Sequence, residues 1–350
     1  MQWMLLTKET MNINLKSLGD QVLVITGATS GIGLVTARMA CRQGARVVVA
    51  ARNEDAVKQL EKELNVDGER AAAVPTDVTS ESDLRRLADT AIERFGGFDT
   101  WVNNAGVSIF GDIMEIPVEE ERKLFEINYW GVVLGSRIAV ERFRQHGGAL
   151  INVGSVASDR AIPLQGAYCA SKHAVKAYTD ALRMELEHRD LPVAVTLIKP
   201  TAIDTPFFKH AATYMNAQPT EPSPMYAPET VAEAILYAAQ HPTRDLLVGD
   251  TAPVQSFLGR VTPRLGDKYL EATMFQGQQS QRTPEPGDNR ALHEPSSDLR
   301  ERGNYDARTF EKSLYTKAVM NSMFSGVLAL GAGLAIGGLI RNSGKVPTRN

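Results

Sequence analysis

The chain has 350 residues, a formal net charge of −3 and 43% hydrophobic residues. Its basic residues are scattered rather than gathered in a stripe, which excludes nucleic acid as a partner, and two cysteines, Cys41 and Cys169, are too few for a disulfide framework. The length exceeds one typical domain and suits a doubly wound core of about 230 residues with further segments attached.

Residues 1–18 form an N-terminal extension without the basic start, long apolar core or cleavage site of a secretory signal, and Met11 competes with Met1 as the start. The run VLVITGATSGIG, Val22 to Gly33, then predicts a buried strand, a turn with three glycines and a helix over LVTARMACRQG. Gly27 allows a tight turn, Gly31 lets backbone approach a pyrophosphate, and Gly33 lets helix pack closely on sheet; the helix start offers free N–H groups to phosphates. Gly44 ends that helix, and ARVVVAAR follows as a second buried strand.

Further strands are predicted near 71–75, 98–103, 148–153, 193–198 and 245–248, which with those near 21–26 and 46–51 make about seven. Helical patterns lie between them; over 81–95, Thr79 or Ser80 caps the start, acids fill the first turn and Gly96 follows the end. This alternation means an α/β fold, a doubly wound parallel sheet of Rossmann type covered on both faces, here with a helical C-terminal tail. There is no internal repeat, no HExxH or other metal-ligand spacing among the six histidines, and no GxSxG, so neither a metal site nor a hydrolase is predicted.

The strand in ALINVGSVAS delivers the Ser155 hydroxyl at its C-terminal end. Tyr168 and Lys172 follow in YCASK, on one face of a helix. A phenol loses its proton near pH ~10 in water, and a fixed ammonium one turn away makes it a usable general acid nearer neutrality. Taken singly, these are an amphipathic tyrosine, a solvated lysine and a strand-end hydroxyl; with the glycine turn upstream they read as a catalytic group.

The ordered set TGxxxGIG, NNAG at Asn103 to Gly106, Asn128, Ser155 and the Tyr168/Lys172 pair resembles the short-chain dehydrogenase/reductase family over residues 19–250. The resemblance implies an oxidoreductase in which Tyr168 exchanges a proton with a carbonyl or hydroxyl oxygen. Lys172 would lower its pKa and bond the nicotinamide ribose, Ser155 would orient the carbonyl, and Asn128 would hold a helix distortion and a water linked to Lys172. It implies that NNAG braces the sheet beneath the cofactor. Cofactor contacts would fall on Thr26, Gly27, Ser30, Gly31, Ile32, Gly33, Arg52, Asp77, Val78, Asn104, Ala105, Gly106, Tyr168, Lys172, Pro200, Ile203 and Thr205, with no metal. Where an acidic side chain would grip a ribose 2′-hydroxyl the chain has Ala51, followed by Arg52, whose guanidinium suits a 2′-phosphate; NADP(H) is therefore favoured over NAD(H). A homo-oligomer is expected by the same analogy.

After Pro200, Thr201 stands where the family commonly has glycine. Phe207, Phe208, Tyr214, Met215, Met225 and Tyr226 make the following lid apolar, dividing between the cleft and packing under the loop, and favour a small lipophilic carbonyl or alcohol substrate. Residues 251–275 predict two short amphipathic helices, broken by Pro263 and Gly266, that cover the cleft, dock on the sheet edge or lie on a bilayer. Residues 276–317 read as a polar linker, and 341–350 as a basic tail. Between them, 318–340 holds 23 uncharged residues, enough for a helix of about 35 Å: a transmembrane or membrane-associated helix, with a buried or peripheral hairpin as the alternative. Basic residues flank it on both sides, so its orientation is undecided. The catalytic domain is expected to face the cytosol.

The leading function is an NADP(H)-dependent oxidoreductase; the alternative is a membrane-tethered dinucleotide-binding scaffold or sensor. A nucleotide-sugar epimerase ranks below both, because it would carry a GxxGxxG turn and a larger substrate domain.

Overall fold

The computed structural model describes residues 13–220, 224–261, 263–283, 291–295, 299–305 and 307–321. Seven strands form one sheet: β1 (Val22–Thr26), β2 (Arg46–Ala51), β3 (Ala71–Pro75), β4 (Thr100–Asn103), β5 (Gly148–Val153), β6 (Val193–Pro200) and β7 (Asp245–Val248). Their spatial order is β3-β2-β1-β4-β5-β6-β7 and every pairing is parallel. The order reverses between β1 and β4, and a crevice for a ligand opens at such a switch point.

Helices α1 (Gly31–Arg42), α2 (Glu54–Leu64), α3 (Glu81–Phe95), α4 (Val118–Phe125), α5 (Gly131–His146), α6 (Gly166–His188), α7 (Phe207–His210) and α8 (Pro228–Ala238) accompany the strands. Alternation along β1 shows why both faces are covered. Leu23 and Ile25 join one apolar cluster with Leu34 of α1 and Ile235 of α8, while Val22 and Val24 join another with Leu84 of α3 and Phe143 of α5. Local signals set the helix ends: Asn53 accepts the Ala56 N–H at 2.8 Å, Ser80 accepts that of Asp83 at 3.2 Å, and Gly96 closes α3 in the left-handed region at φ 80°.

A column of buried polar side chains ties the sheet to α5 and α6. Trp101 donates to Asn103 Oδ1 at 2.8 Å, Asn103 donates to Ser136 Oγ at 3.1 Å and to Asn152 Oδ1 at 2.9 Å, and Asn152 donates to Thr179 at 2.9 Å. Each buried donor thus meets an acceptor, and the ends of β4 and β5 are held in a single register.

The tail departs from the sequence reading. Two helices form, α9 (Ala252–Val261) and α10 (Pro263–Gly277), but only Pro263 marks a break; Gly266 lies inside α10. The described part of 276–317 is docked rather than a free linker. Gln278 is fully buried and donates to the Pro163 carbonyl at 2.8 Å, Ser280 N–H donates to Gln218 O at 2.9 Å, and Leu292 is fully buried. Thr309–Phe310 pairs with Met225–Tyr226, and α11 (Leu314–Met320) packs on α8 and β7. Polar composition hid this because the docking uses backbone groups and a few apolar anchors. The membrane reading of 318–340 falls outside the described residues except for 318–321, as does the start at Met1 or Met11; among the described residues no helix is long and apolar enough to cross a membrane.

The helix–turn contact at Gly33 is the tightest in the cofactor-side turn: a Cβ there would lie 2.2 Å from the Gly27 carbonyl oxygen and 2.6 Å from Asn104 Nδ2. Gly33→Ala is expected to destabilise the fold by about 3 kcal/mol, since backbone must shift to admit it. Urea denaturation checks this, and a variant as stable as the parent would refute the close packing.

Candidate active site

The glycine turn is fixed from outside. Thr26 Oγ1 accepts the N–H groups of Asn104 at 3.0 Å and Ala105 at 3.2 Å, while Asn104 Nδ2 donates to the carbonyls of Thr26 at 3.0 Å and Gly27 at 3.1 Å. Gly27 has φ +64°, and a Cβ there would meet Ala105 Cα at 2.8 Å. The turn and the end of β4 therefore interlock as one surface, with Thr26 and Gly33 behind it.

That surface is one wall of a cavity of about 1000 Å³. Gly27, Ser30, Gly31, Ile32, Arg52, Asp77, Val78, Asn104, Ala105 and Gly106 line it together with Ser155, Tyr168, Lys172, Pro200, Ile203 and Thr205. Of the residues expected to contact cofactor, Thr26 and Gly33 alone do not line it; they shape it. Asp77 is turned to its own helix start, accepting the N–H and hydroxyl of Thr79 at 2.9 and 2.8 Å. The volume, the glycine surface and the lysine in the same lining fit a dinucleotide together with a second small molecule.

Ser155 Oγ accepts the Ala157 N–H at 3.1 Å, which leaves its own O–H to donate elsewhere. Tyr168 is nearly buried, its ring packed edge-on against Phe207 at 5.6 Å between centroids. Lys172 Nζ donates to the Val153 carbonyl at 2.9 Å and stands 5.8 Å from the Tyr168 ring centroid. Asn128 sits in a π-helical turn, Glu126–Trp130, between α4 and α5, the helix distortion that the resemblance implied. Its amide exchanges two bonds with the Val107 backbone, at 2.8 and 2.9 Å, and donates to Ser171 at 3.1 Å. It does not line the cavity. An added Cβ at Gly106 would lie 3.4 Å from Asn128 Oδ1 and 3.6 Å from Lys172 Nζ, so Gly106 is where the two side chains approach each other.

Three features of the site escaped the sequence. The first is Asp159, four residues after Ser155, whose buried carboxylate binds Lys176 of α6, Lys199 of β6 at 3.0 Å and Ser256 of α9 at 2.6 Å. Burial alone would raise this carboxyl, yet the bonds from Lys176, Ser256 and Lys199 hold it well below the usual carboxylate range. The second, left open among three placements by the sequence, is the cover: Val254, Leu265, Tyr269, Leu270 and Met274 of α9 and α10 line the cavity, the first of those placements. Of the apolar lid, Phe207 and Phe208 line it, whereas Met225 and Tyr226 are core.

The third is the docked tail, which corrects two expectations. The first N–H of α1, on Gly31, is not free, because it donates to the Arg300 carbonyl at 2.9 Å. Arg52 does not stand open at the end of β2; its guanidinium donates to the carbonyls of Ala291, Leu292 (3.5 Å) and Glu294 (3.0 Å). Backbone carbonyls are offered by every residue, so no pattern in the sequence announces these contacts.

Burial pushes the Lys172 ammonium down from 10.5 to about 8. Between these values the unfolded chain binds more protons than the folded one, so Lys172 makes stability rise with pH there; below the lower value both forms are charged and the cost of burial is complete. Raising the pH from about 7.5 to about 10 should recover roughly 2–3 kcal/mol, a gain that Lys172→Met lacks. Denaturation midpoints of both proteins at the two pH values check it, and equal slopes would assign the effect elsewhere.

A family model described as short chain dehydrogenase matches residues 21–215. An uncharacterized oxidoreductase of Bacillus subtilis, YxnA, is 47% identical over 322 residues, 91% of this chain and 90% of that protein. The 1-deoxy-11-beta-hydroxypentalenate dehydrogenase of Streptomyces exfoliatus is 38% identical over 54% of this chain and 70% of its own length. Among solved structures, a short chain dehydrogenase/reductase from Burkholderia phymatum in complex with NAD has a TM-score of 0.62 and 26% identity, covering 76% of this chain and 98% of that one. An alcohol dehydrogenase from Thermococcus sibiricus complexed with 5-hydroxy-NADP has a TM-score of 0.57 and 27% identity, covering 65% and 95%. With more than half its length inside the family model and a relative alike almost end to end, the chain belongs to the short chain dehydrogenase/reductase family.

Proposed function

We propose that the protein is an NADP(H)-dependent oxidoreductase that interconverts a carbonyl and an alcohol on a lipophilic substrate, with Tyr168 as general acid and base. The observation that carries this reading is that Ser155, Tyr168 and Lys172 line the same cavity as the glycine turn. The dinucleotide, when bound, supplies or takes the hydride. Tyr168 gives its phenolic proton to the carbonyl oxygen, or takes it back in the reverse direction. Ser155, whose lone pair is engaged by Ala157, donates its O–H to the same oxygen and polarises it. Lys172, in its charged form, favours the phenolate left behind. Asn128 holds the loop at Val107 and the face of α6 that carries Lys172, and so keeps the pair in register.

Lipophilic substrate class follows from Phe207, Leu265, Leu270 and Met274 at the cavity wall. The preference for NADP(H) rests on Arg52 after Ala51; relatives are complexed with NAD and with an NADP derivative, so the family alone does not choose. Retention of the whole proton-handling set argues against a non-catalytic sensor or scaffold, which would have no use for it. Trp130 and Met184, exposed on and beside α5 and α6, support a homo-oligomer formed through those helices.

Tyr168→Phe should lower turnover of a lipophilic ketone roughly 100- to 10 000-fold while leaving NADPH affinity unchanged, because the lost group serves the proton and not the cofactor. Turnover close to that of the parent would remove Tyr168 from its role. Residues 318–320 belong to α11, which packs on the sheet domain, so of the 318–340 span we keep the anchor reading only for the 19 uncharged residues 322–340, next to the basic tail. Full-length protein should stay in the membrane pellet on carbonate extraction, and release into the supernatant would defeat the anchor.

A further inference from the structure

Arg52 is the residue on which the cofactor preference rests, and in the structure it is engaged by the chain's own tail. A guanidinium has five N–H donors and grips a phosphate through two parallel ones along one edge. Nη2 of Arg52 donates to both Ala291 O and Glu294 O (3.0 Å), and Nη1 donates to Leu292 O (3.5 Å). With both Nη2 hydrogens committed, neither the Nε/Nη2 edge nor the Nη1/Nη2 edge is whole. The segment is also held apart from Arg52. Leu292 is fully buried in an apolar cluster that includes Ile127 and Tyr168, and the Ala291 N–H donates to His210 O at 3.3 Å. Ala291 and Pro295 line the cavity themselves, so a ligand in it lies against this segment.

From this geometry we infer that residues 291–295 are a latch on the cofactor site that a ribose 2′-phosphate opens. The inference rests on the NADP(H) reading and deepens it. Three neutral carbonyls and one phosphate dianion compete for the same donors; the donor is charged in both cases, but only the phosphate adds an opposite charge and takes two parallel bonds on a single partner. A dinucleotide bearing the 2′-phosphate takes the guanidinium edge and frees the segment. One lacking it has nothing to exchange for the carbonyls at Arg52, so the segment stays docked. A second contact serves as an internal control: Arg300 O on the Gly31 N–H lies at the start of α1, where the pyrophosphate common to both cofactors would compete. Cofactor choice is then read out as a conformation of the tail, and Leu292, well outside the glycine turn, becomes a determinant of that choice.

Hydrogen–deuterium exchange on the full-length protein tests this with NADPH, NADH and adenosine 2′,5′-bisphosphate as probes. The backbone amides of 291–294 should exchange at least about tenfold faster with NADPH or the bisphosphate and show no acceleration with NADH. Leu292→Ala should tighten NADPH binding by about tenfold and leave NADH binding unmoved, because the competitor for Arg52 is weakened. Protection unchanged by NADPH, or lost equally with NADH, would overturn the latch, as would an alanine variant that binds NADPH no better. Affinities measured on the same samples separate the two ideas. If NADPH binds no more tightly than NADH, the cofactor reading itself fails; if NADPH is preferred and 291–294 stays protected, only the latch does.

Discussion

Burial of the Lys172 ammonium is the constraint on which the site depends. A charge taken out of water needs an acceptor at a fixed place, and that acceptor is the Val153 carbonyl at the last residue of β5. The carbonyl is where it is because β5 is registered against β4 and β6, and because Asn103, Asn152 and Thr179 bond in series across β4, β5 and α6. Two residues beyond Val153 comes Ser155, and one helical turn before Lys172 comes Tyr168. The three groups are thus brought together by sheet register and helix pitch, and the burial cost that falls on Lys172 is met by a backbone whose position the buried polar column fixes.

Asp159 extends the same logic to the outer parts of the site. Its carboxylate is buried with lysines from α6 and β6 and the hydroxyl of Ser256 in α9, so loss of the carboxylate would strip two lysines of their shared counter-charge. The loop bearing Ser155, the strand that leads into Pro200 and Ile203, and the helix that covers the cavity share a single anchoring atom group. The cover formed by α9 and α10 is therefore tied to the loop bearing Ser155 through Asp159.

Much of this was legible in the chain. All seven sheet strands lie within two residues of the predicted spans, since β-branched runs such as VLVIT and RVVVAA bounded by glycines have few other folds open to them. The glycine turn, Ser155, Tyr168 and Lys172 were legible because their chemistry requires those residue types at those spacings. Asp159 was not, as its partners come from positions 176, 199 and 256, and an aspartate four residues after a serine looks like any surface acid. Arg52 shows the other limit: its place after Ala51 is plain in the chain, while its bonding is set by carbonyls of a segment some 240 residues away.

The tail shows why polarity is a poor guide to docking. Residues 276–283 carry glutamine, serine and arginine, yet the Gln278 side chain bonds Pro163 O while its backbone carbonyl accepts the Thr220 N–H at 3.0 Å. Farther on, Gly303 N–H donates to Asp204 at 3.0 Å and Tyr305 O–H to Thr205 O at 2.9 Å, beside the Ile203 and Thr205 that line the cavity. Each contact satisfies a polar group that the core domain would otherwise expose at the rim of its cleft, so a polar strap complements that rim better than an apolar one would. Net neutral hydrogen bonds contribute only about 1 kcal/mol apiece. Leu292 is the fully buried apolar anchor among the described residues of this strap, and bonds to charged groups such as Asp204 and Arg52 add to the neutral ones that hold it against the rim.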